Sequence, residues 1–548
     1  MKVSEAIVKI LKMEGFEYLI GFPMNPLIDP AAKGGIRFIR TRTERVAVNM
    51  TDAIGRVTGG EQLGISVMQS NQGLENAYSG IAQAHDDSTP ILILPMGPAK
   101  RRDNVLPSFS AVENMRGITK WVDTVSYPDR VPELMRRAFT YLRSGRPGPV
   151  MVNVPADMYN EEFDDTLFKY QPVKRIRSAG DPADVRAVAK ALIAAQTPII
   201  RAGQGILLSG ATDELCELAE LLAIPVFTTL NGKSGFPENH PMSLGTGSRT
   251  RPKMVMHFLK KADLVFAIGS SCTKEPFTTP IPHNKRLIQS TIDSYDLNKE
   301  YLLEHAIIGD AKLVLQQLID EVKAQLGSKG KKDNSSVAQE IKTVKEEWLA
   351  EWMPKLTSDE VPINPYRLIW DLMNTLDRNN TIVTHDAGNT RDQMVPFYES
   401  IVPGNYIGWG KSTTLGSSLG FAMGAKLARP EMTAVGLCGD AGFGMVGMDF
   451  ETAIRENIPI ISIVANNSRL GSYGKHNPIA SELYNLNVDS GDYAKVAEGL
   501  GGYSEKVTQP SEVIPALLRA KKAVDSGQAA LLEIITKEEP AFSEYTDL

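Results

Sequence analysis

Two short polar motifs in the last third of the chain combine residue types that could bind a metal ion and a diphosphate. One is Gly439-Asp440-Ala441-Gly442 and the other is Asn466-Asn467, and Asn467 lies 27 positions after Asp440. Each follows a short apolar run typical of a strand, and the spacing accommodates strand, helix and strand. Carboxylate and amide oxygens are ligands that Mg²⁺ accepts, with diphosphate oxygens completing the octahedron. Small residues after Asp440 let backbone N–H groups approach a diphosphate, and a predicted helix over 447–456 could direct its N-terminus at it.

Either motif alone is most simply a structural turn. A Gly-Asp pair often follows a strand, and an Asn-Asn pair usually marks a turn. The two motifs together, each after a predicted strand, favour a binding site over two unrelated turns.

Three α/β blocks must position these motifs, because short apolar runs alternate with helix-period segments along the chain. This alternation predicts the α/β class, with three consecutive open parallel-sheet domains covered by helices. The predicted domains are 1–168, 172–327 and 361–548, and the polar, glycine-containing stretch that opens 328–360 predicts a linker. Both motifs fall at carboxyl ends of strands, which is the edge of an open parallel sheet where ligands bind.

The composition excludes several classes of protein. Of 548 residues, 42% are hydrophobic and 23% charged, which is ordinary for a folded globular chain. Lys and Arg number 59 against 65 Asp and Glu, so the basic excess of a nucleic-acid-binding protein is missing. Three widely separated cysteines suit neither a disulfide framework nor a CxxC metal site. The apolar runs are far shorter than the roughly 20 residues that cross a bilayer, and no signal-peptide core opens the chain. We therefore expect a cytoplasmic protein with no nucleic-acid or membrane partner.

The two motifs resemble the signature of thiamine-diphosphate enzymes, in which a G-D-G/A/S run precedes an N-N pair. The resemblance covers almost the whole chain. In the first block it includes Gly21-Phe-Pro-Met-Asn, Arg42-Thr-Glu-Arg and the run from Gln69 to Asn76. It implies a pyrimidine-binding, a middle and a diphosphate-binding domain in that order. This order matches the branch of acetolactate synthases, oxalyl-CoA decarboxylases and 2-hydroxyacyl-CoA lyases.

The resemblance implies a role for each residue of a thiamine diphosphate site. Glu44 would hydrogen-bond N1′ of the aminopyrimidine, favouring the imino tautomer that removes the thiazolium C2 proton. Leu415 would hold the cofactor in its V shape, and the carbonyl of Thr413 would accept from the 4′-amino group. The other implied cofactor contacts are Gly388, Asn389, Thr390, Gly439, Asp440, Ala441, Gly442 and Asn467. The implied Mg²⁺ ligands are Asp440, Asn467 and the carbonyl oxygen of Arg469.

Taken alone, Glu44 is an ordinary first-turn acid that complements a helix dipole. An apolar stripe at Val46, Met50, Ile54 and Val57 follows it and predicts a helix that faces the core. A carboxyl buried at the start of such a helix should have a raised pKa, which suits proton exchange near neutrality.

Substrate contacts are predicted at Asn25 and Gln69, which lie in loops after strands of the first block. Asn and Gln can orient a carboxylate or carbonyl group but are poor proton carriers. The alternative titratable groups are His85, His385 and His476. Of these, His85 is expected to cap or pack on a helix, and His476 follows the metal loop closely enough to reach the site.

Two features favour a 2-hydroxyacyl-CoA lyase or a related decarboxylase. The run Gly444-Met-Val-Gly-Met-Asp-Phe-Glu-Thr resembles G-F-S-G-M-E-x-E-T of the acyl-CoA branch, and Phe109-Ser-Ala replaces the F-Q-E run of acetolactate synthases. Lys100-Arg-Arg could bind a CoA phosphate, although a basic triplet is more often a solvated face. The alternatives are an acetolactate-synthase-like carboligase or 2-oxo acid decarboxylase, and an inactive regulatory or scaffold paralogue.

The resemblance also implies partners and a further ligand. The glycine pair Gly203 and Gly205 with Asp293 could belong to an FAD or ADP site in the middle domain, and the residues do not choose between them. Members of the family form their active sites between subunits, which implies a homodimer or homotetramer.

Overall fold

Three six-stranded sheets form the framework of the computed structural model, which describes residues 1–103, 105–107, 109–328, 330–331, 335–412, 414–471 and 473–545. The strand pairs in these ranges are parallel within each sheet. The predicted fold class, three consecutive parallel-sheet units with helices, is confirmed. Across the same ranges, no helix is both long and apolar enough to cross a membrane.

The first sheet has the strand order β2-β1-β3-β4-β6-β5. Its strands are β1 (Tyr18–Gly21), β2 (Arg37–Arg40), β3 (Gly64–Gln69), β4 (Ile91–Gly97), β5 (Trp121–Thr124) and β6 (Val150–Pro155). Its helices are α1 (Val3–Met13), α2 (Ile28–Lys33), α3 (Glu44–Val57), α4 (Asn71–Asp86), α5 (Ala111–Met115) and α6 (Val131–Leu142). Strands β4 and β6 are almost continuously apolar because helices cover both faces of a parallel sheet.

The second sheet has the order β12-β11-β10-β7-β8-β9. Its strands are β7 (Pro198–Ala202), β8 (Val226–Thr229), β9 (Ser243–Gly247), β10 (Leu264–Ile268), β11 (Arg286–Thr291) and β12 (His305–Ile308). Its helices are α7 (Pro182–Ala194), α8 (Gly205–Ser209), α9 (Thr212–Leu222), α10 (Lys253–Lys261) and α11 (Ala311–Leu326).

A long helix, α12 (Ser335–Leu356), occupies most of the stretch predicted to be a linker. Trp348 stacks on Phe397 with ring centroids 4.8 Å apart, and Trp352 lies 5.0 Å from Tyr366. The connection from the second to the third sheet therefore ends in a helix packed on the third domain.

The third sheet has the order β14-β13-β15-β16-β18-β17. Its strands are β13 (Thr381–His385), β14 (Tyr406–Ile407), β15 (Thr433–Gly439), β16 (Ile461–Asn466), β17 (Tyr503–Val507) and β18 (Ala530–Ile535). Its helices are α13 (Pro365–Thr375), α14 (Asn389–Phe397), α15 (Ser418–Ala428), α16 (Asp440–Val446), α17 (Phe450–Arg455), α18 (Tyr473–His476), α19 (Pro478–Tyr484), α20 (Tyr493–Gly499) and α21 (Val513–Asp525). Strands β13, β15 and β16 are neighbours, so the polar residues after them meet at one edge.

The helix after the Gly-Asp motif begins at Asp440, not at residue 447 as predicted. Helix α16 follows β15 without a loop, and residues 447–449 form a 3₁₀ turn before α17. The glycines at 442, 444 and 447 lowered the helical signal of this segment in the sequence.

Helix α3 of the first domain packs closely on α15 of the third. A Cβ atom at Gly424 would lie 2.1 Å from the Met50 carbonyl oxygen, and one at Gly420 would lie 2.6 Å from Asn49 Cβ. Because protein interiors tolerate no such overlap, the two glycines are what allow these helices to approach. The contact sets the position of Glu44, at the start of α3, relative to the loop that precedes α15.

A buried cluster of charges joins all three domains. Arg56 donates through Nη2 to Asp52 and Asp87, at 3.1 and 3.0 Å, and through Nη1 to the carbonyl of Gly408. Asp87 also accepts from the backbone N–H groups of Gly410 and Lys411 and from Asn231 Nδ2, at 2.9 to 3.0 Å. The first domain therefore holds both the 408–411 loop of the third domain and the start of the middle-domain loop at Asn231.

We predict that Arg56→Met destabilises the chain by about 3–5 kcal/mol, because it leaves two carboxylates buried without a counter-charge. Differential scanning calorimetry measures the loss. Arg519→Met, which removes an exposed pair with Glu505, is the control and should change little. Equal losses in the two variants would contradict the role given to the buried cluster.

Candidate functional site

A pocket of about 310 Å³ opens at the carboxyl ends of β13, β15 and β16. It is lined by residues that the sequence assigned to cofactor and metal: Gly388, Asn389, Thr390, Leu415, Gly439, Asp440, Ala441, Gly442, Asn467 and Arg469. The predicted contact at Thr413 lies outside the described residues. The parallel sheet thus gathers segments from four separate parts of the third domain.

Asp440 and Asn467 direct oxygen atoms at the same place. Asp440 Oδ2 and Asn467 Oδ1 accept from the backbone N–H of Arg469, at 3.3 and 3.0 Å. Asp440 is buried, and burial, together with the charge of nearby Asp489, raises the pKa of its carboxyl. Two hard oxygens that converge in this way suit a hard cation such as Mg²⁺. The described residues contain no group of three or more His, Cys, Asp or Glu side chains that could hold a metal, but the predicted ligand set uses one carboxylate, one amide and one carbonyl.

The two asparagines of the Asn-Asn motif have different tasks. Asn466 is buried; its Nδ2 donates to Glu533 at 2.8 Å and its Oδ1 accepts from the Ser468 N–H at 2.9 Å. These bonds hold the turn in which Ser468 has a φ of 56°. Asn466 therefore shapes the loop, and Asn467 is the member of the pair that lines the pocket.

Gly388 begins the loop on the opposite wall of the pocket. Its φ of 90° and ψ of −152° place it in a region that glycine alone adopts readily. This turn aims the start of α14 at the pocket, where backbone N–H groups can receive an anion. Thr390, the second residue of α14, has a buried Oγ1 with no hydrogen-bond partner among the described residues. An unpaired hydroxyl beside a helix N-terminus fits the diphosphate contact predicted here.

Asp386 is a site residue that the sequence reasoning missed. Its carboxylate accepts from the N–H groups of Ala387, Gly416 and Ser418, at 2.7, 2.8 and 3.1 Å. Burial raises the pKa of this carboxyl, and the three N–H donors lower it. It fixes the loop that carries Leu415 against β13. A second acid directly after a strand, in His385-Asp386-Ala387-Gly388, was the signal available in the sequence.

Glu44 lies at the start of α3 and is buried, as predicted. Thr43 Oγ1 caps the helix and donates to Asp449, and Asn76 Nδ2 donates to Glu44 Oε2 at 3.3 Å. Burial raises the pKa of Glu44. Glu44 is not among the residues that line the pocket of Asp440, and none of those residues comes from the first domain. Within one chain the first domain therefore contributes no residue to the lining of this pocket.

The two predicted substrate contacts differ in how far their side-chain amides are already hydrogen-bonded within the protein. Asn25 is buried; its Nδ2 donates to the carbonyls of Met68 and Leu94, at 3.2 and 3.0 Å, and its Oδ1 accepts from Leu27 N–H. Its amide is thus occupied in joining the ends of β3 and β4. Gln69 is partly exposed and accepts from Gln72. It lies close to Glu44, because a Cβ atom at Gly73 would be 3.4 Å from both Gln69 Cβ and Glu44 Oε1.

The three histidines considered as alternatives lie in different environments. His385 is fully buried, and burial lowers its pKa to about 3, so its ring is neutral. Its Nε2 lies 3.2 Å from the Trp409 carbonyl and must donate there, so Nδ1 accepts from Tyr406 Oη at 3.1 Å. His385 thus supports the Trp409 backbone. His85, beside Asp86, and His476, in α18, are not among the residues that line the pocket.

Comparison with known families decides what kind of site this is. Models of the N-terminal thiamine pyrophosphate (TPP) binding domain, the central domain and the C-terminal TPP binding domain of thiamine pyrophosphate enzymes match residues 1–124, 185–318 and 386–534. A "Probable acetolactate synthase large subunit" of Methanocaldococcus jannaschii is 31% identical, over 98% of this chain and 92% of the relative. The chain belongs to the thiamine pyrophosphate enzyme family. It is an enzyme of the acetolactate synthase branch, so the resemblance read from its motifs is confirmed.

Other relatives refine the position of this thiamine pyrophosphate enzyme. The acetolactate synthase isozyme 3 large subunit of Escherichia coli K12 is 26% identical, over 97% of this chain and 94% of its own. Glyoxylate carboligase of Escherichia coli O157:H7 is 27% identical, over 95% and 90%. These relatives support the alternative, a carboligase, better than the predicted 2-hydroxyacyl-CoA lyase. The basic triplet offered for CoA is also partly occupied, since Lys100 pairs with Glu161. Residues 444–452, whose likeness to the acyl-CoA branch favoured the lyase, form the end of α16, a 3₁₀ turn and the start of α17.

We predict a pH-dependent effect of Glu44→Gln on stability. Because burial raises the pKa of Glu44 above its ordinary 4.5, the folded chain holds this proton more tightly than the unfolded chain. The ionised carboxylate opposes folding above the raised pKa, and this cost is absent below the ordinary value. The variant should therefore unfold at a higher temperature than the wild type near about pH 8, and the difference should vanish toward about pH 4.

Thermal unfolding followed by circular dichroism across this pH range measures the difference. Glu75→Gln, which changes an exposed glutamate of α4, is the matched control and should show no such trend. If the unfolding temperature of Glu44→Gln differed from that of the wild type by the same amount at every pH, burial of the Glu44 carboxylate would not be the cause of the difference.

Proposed function

We propose that the chain is a carboligase that uses thiamine diphosphate and Mg²⁺ to join 2-oxo acids, as an acetolactate synthase does. The observation that carries the proposal is the full-length match to acetolactate synthase large subunits, together with the retained Glu44, Asp440 and Asn467. A chain that served only as a regulatory subunit would not need the activating carboxyl.

When bound, thiamine diphosphate would supply a nucleophilic carbon for addition to a carbonyl group and an electron sink for breaking the adjacent C–C bond. The residues of this chain would position the cofactor. Residues 439–442 and 388–390 would present N–H groups to the diphosphate, Leu415 would support the ring system, and Glu44 would hold a proton at N1′. Burial raises the pKa of Glu44, which favours the protonated carboxyl that this contact needs.

We infer that Asp440, Asn467 and the Arg469 carbonyl hold the Mg²⁺ ion. The support is the convergence of Asp440 Oδ2 and Asn467 Oδ1 on one N–H, beside a pocket edge formed by glycines. The cation would relieve the cost of burying the Asp440 carboxylate, which its raised pKa reflects.

We infer that an adenine nucleotide, as ADP or as part of FAD, binds between the first and second domains. A cavity of about 360 Å³ lies there, lined by Gly203, Gly205, Arg201 and Asp296. A Cβ atom at Gly203 would lie 2.2 Å from the Gly269 carbonyl, so both strand ends need glycine. Arg201 Nε is buried without a partner in the described chain, as a phosphate contact would leave it.

We propose that the active unit is at least a homodimer, with Glu44 of one subunit facing Asp440 of the other. Support comes from the absence of Glu44 from the residues that line the pocket within one chain. It also comes from exposed apolar side chains near both halves: Met24 is 66% exposed in the first domain, and Met445 and Met448 are 57% and 52% exposed in the third. A second copy would cover these residues.

The reaction is tested by a paired assay with thiamine diphosphate and Mg²⁺. We expect pyruvate to yield acetolactate, and a 2-hydroxyacyl-CoA to yield no aldehyde or formyl-CoA. The control is Glu44→Gln, which should lose turnover by about 10²-fold or more, as removal of a positioned acid–base group does. Turnover of the acyl-CoA alone would overturn the carboligase assignment.

The shared active site is tested by subunit complementation. Glu44→Gln and Asp440→Ala should each be inactive, but a mixture that is unfolded and refolded together should recover about one quarter of wild-type activity, because half of the dimers carry one intact site. No recovery, with hybrid dimers shown by mass spectrometry, would place both residues in the same subunit.

A further inference from the structure

The pocket that contains Asp440 has charged side chains in the wall nearest the middle domain. None of them has a role in the proposed binding of diphosphate and Mg²⁺. This wall is formed by Arg249 and Phe277 of the middle domain and by Arg391 and Trp409 of the third. The residues assigned to diphosphate and Mg²⁺, at 439–442 and Asn467, belong to β15, β16 and their loops. Two arginines from different domains therefore face one pocket at its middle-domain end.

Arg391 is held rigidly in this wall. It is only 2% exposed, and its guanidinium lies 4.0 Å from the ring centre of Phe277 and 4.6 Å from that of Trp409. Its Nε donates to Asp392 at 2.6 Å and its Nη2 also pairs with Asp392. Stacking and pairing fix the guanidinium plane at the edge of the pocket that Arg391 lines.

Trp409 offers a second donor. The side chain is fully buried, yet its Nε1 has no hydrogen-bond partner in the described ranges of the chain. A buried indole N–H normally finds an acceptor, since leaving it unpaired is costly. Because Trp409 lines the pocket, a molecule that enters the pocket could supply this acceptor.

The C-terminal tail brings a carboxylate to the same place. Arg249 Nε donates to Glu544 Oε1 at 2.9 Å, and the tail is anchored next to it by reciprocal bonds between Ser543 and the backbone of Arg251. Asp392 is buried and balances Arg391. Glu544 is the exposed acid of the cluster, and its removal would leave one net positive charge for an anion.

We propose that Arg391, Arg249 and Trp409 bind the carboxylate of the 2-oxo acid substrate. When no substrate is bound, Glu544 forms an ion pair with Arg249 instead. The assignment rests on the proposed function and names the residues that set its preference for an anionic substrate. A planar carboxylate matches the arrangement, because it can accept from the Trp409 indole and from two guanidinium groups at once.

Calorimetric titration with methyl acetylphosphonate, in which an anionic phosphonate replaces the carboxylate of pyruvate, tests the site without turnover. The enzyme is loaded with thiamine diphosphate and Mg²⁺, and the affinity for thiamine diphosphate is measured in parallel. Trp409→Phe keeps the ring and removes only the N–H, so it should weaken analogue binding about tenfold and change cofactor affinity less than about twofold. Arg391→Lys keeps the charge but loses the planar group that stacks and forms paired hydrogen bonds. It should weaken analogue binding to a similar degree.

Glu544→Gln should act in the opposite direction and tighten analogue binding, because the tail no longer competes for Arg249. Arg286→Gln, which breaks an exposed pair with Glu304, is the control and should change neither affinity. An equal loss of cofactor affinity in Trp409→Phe would overturn the assignment by giving these groups to the diphosphate. Analogue binding that is absent in the wild type, or unchanged in Trp409→Phe, would also overturn it.

Failure of the proposed function gives a different result. A wild type that binds the analogue through these residues but forms no acetolactate from pyruvate would refute the carboligase and keep the anion site. Acetolactate formation with an unchanged KM for pyruvate in Trp409→Phe would keep the carboligase and refute the anion site.

Discussion

Asp87 is a buried carboxylate of the first domain on which the arrangement of all three domains depends. It accepts hydrogen bonds from Arg56, from Asn231 of the middle domain and from the N–H groups of Gly410 and Lys411 of the third. A carboxylate is tolerated in such a place only when each of its oxygens is paired. The first domain thus holds the loop that leads to Leu415, so the packing of the domains helps to set the position of a residue that lines the pocket.

The pocket itself separates structural carboxylates from those left for ligands. The Asp386 carboxylate accepts hydrogen bonds from three backbone N–H groups and so fixes the loop after Trp409. Asp440, on the neighbouring strand, accepts from the N–H groups of Ala441 and Arg469, at 2.9 and 3.3 Å, and shares the second of these with Asn467. Both carboxylates thus accept from backbone N–H groups, but of the two only Asp440 lines the pocket. In the proposed function it is therefore Asp440 that would receive the cation.

The contact between the first and third domains of one chain also bears on where Glu44 lies. Helix α3 packs along α15 through Gly420 and Gly424, and Thr43 donates to Asp449, but Glu44 does not line the pocket of Asp440. In the proposed dimer, Glu44 of the partner subunit would face that pocket. The exposed methionines beside both halves are consistent with that arrangement.

Much of the site could be predicted from the sequence, because its residues lie in short motifs directly after strands. The spacing of Asp440 and Asn467, and the apolar stripe after Glu44, follow from strand–helix periodicity, which is a local property. The start of α16 was misplaced because its glycines lower helical propensity while the sheet edge still imposes a helix there. Asn25 could not be assessed from the sequence for a different reason. Only the folded chain shows that its amide is hydrogen-bonded to the backbone of Met68, Leu94 and Leu27.

The sequence by itself determined the α/β class, the three sheets, the thiamine pyrophosphate family and many residues that line the pocket of Asp440, since these depend on contacts between near neighbours in the chain. Only the tertiary structure decided that Asp386 and His385 are supports, that Asn467 rather than Asn466 faces the pocket, and that Glu44 lies apart from it. It also brought Arg249, Arg391, Trp409 and Glu544 together from three regions of the chain. Such groupings depend on how domains pack, and packing is set by shape and buried charge over distances that no local pattern of residues records.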